Sequence, residues 1–335
     1  MAVEKKKRKK ISELQPERTR MPIQDPAERI RNFDEVTFGY SEKDALQEAG
    51  RCLVCPKAKC TEACPVSIDI ATFIEQISAG DFRGAWLTIT DANLMPAVCG
   101  RVCPQEDQCE GVCVIGKKLE PVAIGRLERY LGDMAIREGW TARSEIEPNG
   151  KRVGIIGSGP AGIACAADMA KAGCEVIVFE ALHKPGGVLR YGIPEFRLPD
   201  EVIDAEVENL RNLGVRVQCN TLVGRLFTIE QMVDEMGFDA VFIGTGAGTP
   251  RFMDIPGEYL NGVLSANELL TRCNLMKAGD FPNHDTPLGL GQRVAVIGAS
   301  RAGIGAAGQY FQANLQMAFH LALAETLRRR VQLGF

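Results

Sequence analysis

The chain has 335 residues, 45% of them hydrophobic and 24% charged, with a formal net charge of −4 at pH 7. Those values exclude a disordered, collagenous or coiled-coil chain, and they carry no nucleic-acid or membrane-surface signal. The length suggests about two domains, and no apolar run reaches the ~18 residues of a membrane helix.

Residues 1–24 read as a basic tail. Positions 5–10 are consecutive lysines and arginine, a pattern of nuclear-localisation and nucleic-acid-binding segments but also of solvated tails. The solvated tail is the expectation, with no nucleic-acid partner. No apolar stretch follows the charges, so they do not form a secretory signal. Residues 40–145 have helical texture. Ser41-x-x-Asp44 resembles a capping box ahead of a run to Ala49,. Residues 68–77 carry apolar side chains at helical spacing, and Pro121 is placed in the first turn of a helix running to about Glu138. That helix would turn Val122, Ile124, Leu127, Leu131 and Met134 inward,.

This helical segment holds most of the twelve cysteines, in two groups. The first is Cys52-x2-Cys55-x4-Cys60-x3-Cys64-Pro65. The second is Cys99-x3-Cys103-Pro104-x4-Cys109-x3-Cys113. Without an export signal the thiols point to metal ligation in a reducing, cytoplasmic setting rather than to disulfides. The first group differs from the bacterial ferredoxin run C-x2-C-x2-C-x3-C-P only in its middle gap. Structural zinc, the main rival, favours C-x2-C-like pairs 12–20 residues apart, which these groups lack. Two groups suggest two clusters.

Pro148-Asn149-Gly150 is a turn and a domain boundary,. A βαβ unit follows: a strand at Arg152–Ile156, a helix to about Lys171 and a strand at Glu175–Phe179,. Between strand and helix stands Gly157-x-Gly159-Pro160-Ala161-Gly162. The first glycine serves the tight turn, the second admits a pyrophosphate and the third lets helix and strand pack closely. Glu180 ends the next strand, where a carboxylate bonds a ribose hydroxyl. The pattern alone leaves FAD and NAD both open. Ala240–Ile243 is read as another strand leading into Gly244-Thr245-Gly246, and Arg293 to Ile297 as a strand leading into Gly298.

Three stretches make the chain resemble the glutamate synthase small-subunit family: Arg51-Cys-Leu-Val-Cys55, Cys64-Pro-Val-Ser-Ile-Asp-Ile70, and Pro96-Ala-Val-Cys-Gly-Arg-Val-Cys-Pro-Gln-Glu106. That family includes the large subunit of the NADH-dependent ferredoxin:NADP oxidoreductase, and it shares this module with dihydropyrimidine dehydrogenase. The flavin loop Gly186-Gly-Val-Leu-Arg-Tyr-Gly-Ile-Pro-Glu-Phe-Arg-Leu-Pro199, Ile255-Pro-Gly-Glu258 and Ser265-Ala-Asn-Glu-Leu-Leu-Thr271 match as well. The resemblance covers about residues 25–298.

It implies an α + α/β chain: a helical iron–sulfur domain (25–147), an incomplete Rossmann-like FAD domain (148–290), and the start of an NAD(P) Rossmann domain with an atypical tail (291–335). It implies two [4Fe–4S] clusters. Cys52, Cys55, Cys60 and Cys113 would hold one. Cys64, Cys103, Cys109 and Glu128 would hold the other, with Cys99 as the alternative to Glu128. FAD would lie on Gly157, Gly159, Pro160, Ala161 and Gly162. Glu180 would take the ribose, Gly186, Gly187 and Arg197 would line the flavin and phosphates, and Thr245 and Gly246 would close over it. Arg190 is expected at the surface or facing NADP. NAD(P)H is expected at Gly298, although Ser300 replaces the family's second glycine there.

After about residue 298 the resemblance fades, as in a truncated or frame-shifted member. The alternative is a short variant whose tail packs as a helix through Leu315, Phe319, Leu323 and Leu327. The implied activity passes electrons from NAD(P)H through FAD and the clusters to a partner. That partner is a glutamate synthase large subunit or a ferredoxin-linked reductase subunit, with no membrane involved. The contrasting reading is an electron-transfer module without NAD(P)H oxidation of its own.

Overall fold

The computed structural model describes residues 10–32, 34–141, 146–250, 252–289 and 293–297. The N-terminal half is helical: α1 (Pro26–Arg29), α2 (Glu42–Ala49), α3 (Lys59–Glu62), α4 (Ile70–Ser78), α5 (Phe82–Ala92), α6 (Pro96–Val102) and α7 (Ile124–Glu138). Local chemistry sets their starts. Ser41 and Asp44 form the reciprocal cap of α2,. Asp69 and Asp81 accept backbone N–H bonds at the starts of α4 and α5,. Helix α7 begins at Ile124 rather than in the turn of Pro121, because residues 120–123 are spent as hydrogen-bonding loop: the carbonyls of Glu120 and Pro121 accept from Arg51 and the Ala123 amide donates to Glu48. The expected inward residues Val122, Ile124, Leu127, Leu131 and Met134 are all buried.

Helices α6 and α7 touch backbone to backbone. A Cβ added at Gly100 would stand 2.4 Å from the Arg129 nitrogen, and one at Gly132 2.4 Å from the Ala97 nitrogen. No side chain larger than hydrogen fits at either crossing point.

Beyond the turn at Gly150 come β1 (Arg152–Ile156), α8 (Pro160–Lys171), β2 (Glu175–Phe179), α9 (Val188–Tyr191), α10 (Asp200–Asn212), β3 (Arg216–Gln218), α11 (Ile229–Asp234), β4 (Ala240–Ile243) and α12 (Ala266–Leu270). The strands form a parallel sheet of order β3-β2-β1-β4. Strand order reverses at β1, and in open parallel sheets the crevice at that reversal is where ligands bind. The segment Arg293 to Ile297 joins no strand; Ile297 is 75% exposed there. Gly298, Ser300 and the tail leucines lie outside the described residues.

The two halves share a core. Leu94, Met95, Ala97 and Val98 pack with Val153, Ile155, Ile203 and Val207 in one apolar cluster. Polar ties cross the same seam: the Val36 amide donates to the Phe196 carbonyl at 3.1 Å and Lys171 to the Thr90 carbonyl at 2.6 Å. Among the described residues no helix is long and apolar enough to cross a membrane.

Candidate functional site

Cys52 and Cys55 follow α2 in an irregular turn, Cys60 sits in the short helix α3, and Cys113 comes from the segment before α7. All four line a single cavity with Ile70, Ile74, Ile115 and Val122. A buried charge pair braces this corner. Glu48, fully buried, accepts from the Thr19 and Ala123 amides at 2.7 and 2.8 Å and from Arg51 at 2.7 Å. Arg51 spends its remaining donors on the carbonyls of Gln15, Pro16, Glu120 and Pro121. The residue next to Cys52 thus ties the N-terminal strap and the loop after Cys113 to one point.

Burial pushes the Cys52 thiol up to about 12 and Cys60 to about 11, with the neighbouring thiols adding in each case. A bound metal cluster would supply positive charge that favours the thiolates, and its binding would release the thiol protons. Among the described residues no three His, Cys, Asp or Glu side chains are gathered as a single metal ion requires; the four thiols instead line one apolar cavity, an arrangement suited to several metal atoms rather than to one,.

The second group draws on four segments: Cys64 after α3, Cys103 at the end of α6, Cys109 in the loop beyond it and Glu128 within α7. Burial pushes Cys103 up to about 11, with Glu128 and Cys64 close enough to add to it. Cys109 is raised by burial, then by Glu110, Glu128, Cys103 and Cys64. Cys64, Cys103, Cys109 and Glu128 therefore share one neighbourhood. Glu128 is 6% exposed, and burial lifts its carboxyl to about 8 against the hydrogen bond from Asn93. The Asn93 amide donates to Glu128 at 2.9 Å, and its oxygen lies 3.7 Å from Cys99 Sγ. Cys99 and Glu128 thus stand on either side of Asn93, a residue the sequence motifs did not single out. Gln108, with Oε1 3.1 Å from Cys103 Sγ, was also missed.

The dinucleotide loop sits where the register dictates. Ile156 pairs with both Phe179 and Ile243, so Gly157, Glu180 and Gly244 come side by side at the carboxyl edge of the sheet. The glycine roles separate cleanly. Gly157 has φ +100°, and a Cβ there would meet the Gly244 oxygen at 2.5 Å. A Cβ at Gly162 would be 1.9 Å from the Gly157 oxygen. Gly159 faces open space, with nothing within 4 Å of an added Cβ. That opening leaves room for a pyrophosphate at the start of α8, where Pro160 and Ala161 open the helix,.

Glu180 is buried and accepts from both the amide (2.9 Å) and the hydroxyl of Ser158; its other oxygen accepts the Leu182 amide at 2.9 Å. Each carboxylate oxygen accepts more than one hydrogen bond, so capacity for a ribose hydroxyl remains. Ser158 Oγ in turn accepts the Gly186 amide at 3.0 Å, and Gly187 lies against Gly159. Thr245 lies beside Gly157, and Gly246 has φ +73° with open space around it. The loop, Glu180, Gly186, Gly187, Thr245 and Gly246 are brought together. Arg197 is exposed on the turn before α10. Arg190 is not at the surface: it is 1% exposed and ion-paired with Asp200 at 3.2 Å and with Asp204, and it donates to the Pro185 carbonyl. Its guanidinium fixes the flavin loop to α10, because a buried cation is held where carboxylates meet it.

Residues 29–140 match the family described as dihydropyrimidine dehydrogenase domain II, 4Fe–4S cluster. Residues 151–332 match pyridine nucleotide-disulphide oxidoreductase, a match that continues past residue 298. The chain belongs to the pyridine nucleotide-disulphide oxidoreductase family, with an N-terminal 4Fe–4S domain. It is 40% identical over 225 residues to the NAD-dependent dihydropyrimidine dehydrogenase subunit PreT of Escherichia coli K12, covering 66% of this chain and 54% of that one. It is 35% identical over 269 residues to the glutamate synthase [NADPH] small chain of the same organism, covering 79% and 57%. The Halomonas elongata glutamate synthase small chain is 36% identical over 282 residues, covering 83% and 59%. The chain spans somewhat more than half the length of these relatives.

Proposed function

We propose that the chain passes electrons from NAD(P)H, through FAD and two [4Fe–4S] clusters, to a partner subunit. The observation that carries this reading is the convergence of Cys113 with Cys52, Cys55 and Cys60 on one cavity. A second group, Cys64, Cys103, Cys109 and Glu128, supports it. The domains are 25–147, 148–290 and 291–335, after a tail at 1–24. The ligands are Cys52, Cys55, Cys60 and Cys113 for the first cluster, and Cys64, Cys103, Cys109 and Glu128 for the second. When bound, the flavin takes a hydride from a nicotinamide and releases electrons singly to iron–sulfur centres.

The chain's own residues supply position and electrostatics. Gly159 leaves the backbone of the phosphate turn accessible, and Glu180, held by Ser158, meets the ribose. Gly186 and Gly187 line the flavin with Arg197, and Thr245 and Gly246 close over it. Gly298 is retained as an NAD(P) position. A carboxylate at Glu128 is a harder ligand than thiolate and shifts the second cluster's potential.

The partner is a glutamate synthase large subunit, as the names of two relatives suggest. A second reading rests on the 40% identity to a dihydropyrimidine dehydrogenase subunit, which makes the partner a pyrimidine-reducing subunit. Anaerobic titration with NADH and with NADPH, followed by each partner, tests both. Flavin bleaching and partner-dependent reoxidation support the proposal. A flavin that neither nicotinamide bleaches leaves an electron-transfer module and overturns the NAD(P)H step.

A further inference from the structure

We propose that Glu206 is a positioning residue for the second cluster: from the flavin half, it fixes the helix that carries Cys99 and ends at Cys103. The inference rests on reading Cys64, Cys103, Cys109 and Glu128 as ligands. Helix α6 has no cap of its own. Met95 precedes it, and Pro96 at its first position has no N–H, so the Ala97 amide is the first orphan donor. Glu206 of α10, 109 residues away, accepts that amide at 2.9 Å. Its other oxygen is 3.3 Å from Asn209 Nδ2. The side chain is 2% exposed, and a buried carboxylate aimed at one amide is costly unless the bond is made.

Helix α6 has no room to adjust. At Ala97 and at Gly100 its backbone lies against that of α7, beside Glu128. At its far end Arg101 is ion-paired with Glu35 at 2.8 Å and Asp133 at 2.6 Å. Asn93, just before α6, bonds Glu128 and approaches Cys99. Releasing Ala97 frees the first turn of α6 and with it Asn93, so the disturbance reaches Glu128 and Cys99 first and Cys103 through the helix, while the first cavity has no residue on α6.

The test uses the full chain, purified anaerobically, as wild type, E206L, E206A and E206Q. Leucine refills the volume without an acceptor, alanine opens a cavity, and glutamine keeps a carbonyl oxygen. The readouts are iron per chain, electron paramagnetic resonance of the dithionite-reduced clusters, and amide exchange across residues 97–103. In E206L and E206A the second-cluster signal should broaden or vanish and iron should fall from about eight toward about four. The first-cluster signal should stay, α6 amides should exchange at least about tenfold faster, and E206Q should match wild type. An unchanged second-cluster signal with unchanged α6 protection in E206L overturns the proposal; so does E206Q behaving like E206L. A wild-type chain with iron for one cluster only overturns the ligand assignment instead, and α6 protection in E206L then decides the role of Glu206 on its own.

Discussion

At the scale of single residues, the first cavity depends on side chains far apart in sequence. Cys113→Ser should remove one cluster, cutting iron by about half. Iron unchanged in that variant would detach Cys113 from the site. Arg51 and Glu48 are both essentially out of solvent, and their guanidinium–carboxylate contact is 2.7 Å. Replacing such a pair whole is often harmless, but removing one partner leaves a buried charge and costs about 3–5 kcal/mol. Arg51→Met should lower unfolding free energy in urea by that order, and a change under about 1 kcal/mol would show that Glu48 finds another partner. Glu206 gives a pH dependence. Burial raises its carboxyl from 4.5 to about 7, with Asp133 adding, against the Ala97 amide, Asn209 and Arg101. An acid raised on folding binds its proton more tightly in the native state. Its contribution is full below about 4.5 and is lost as pH rises through about 7,. Glu128, raised in the same direction, contributes to the same loss, so across that window the wild type should lose roughly 1–3 kcal/mol more than Glu206→Gln. Parallel stability curves for the two would contradict the assignment.

At the scale of elements, the glycine loop offers a clean separation of folding from binding. Gly162→Ala places a Cβ 1.9 Å from the Gly157 oxygen, whereas at Gly159 it meets nothing within 4 Å. Gly162→Ala should therefore destabilise the apoprotein by over ~2 kcal/mol. Gly159→Ala should leave apoprotein melting unchanged and weaken FAD binding at least about tenfold, since the space it fills belongs to the ligand. Equal FAD affinity in Gly159→Ala would move the phosphate site elsewhere. These local roles were legible in sequence because strand, turn and acid lie within about thirty residues. The capping box at Ser41 was legible for the same reason. The three-residue strand Arg216–Gln218 was not, being too short to show alternation,. Arg190 was misplaced because only the fold brings Asp200 and Asp204 to it. Asn93 and Glu206 carried no local signal either: their partners, Glu128 and Ala97, are 35 and 109 residues away.

At the scale of the molecule, two halves are joined by a shared apolar core and by carboxylates, amides and guanidinium groups that cross the seam. Helix α6, which ends at Cys103, packs on the flavin half through Ala97 and Val98 and through the Ala97–Glu206 bond, while the first cavity is lined from α3, α4 and the segment after Cys113. Iron, acid-labile sulfide, zinc and flavin per chain after anaerobic purification decide whether this one chain carries both clusters and the flavin. About eight iron, about eight sulfide and about one FAD are expected. Zinc in place of iron, at one or two atoms per chain, would contradict that expectation.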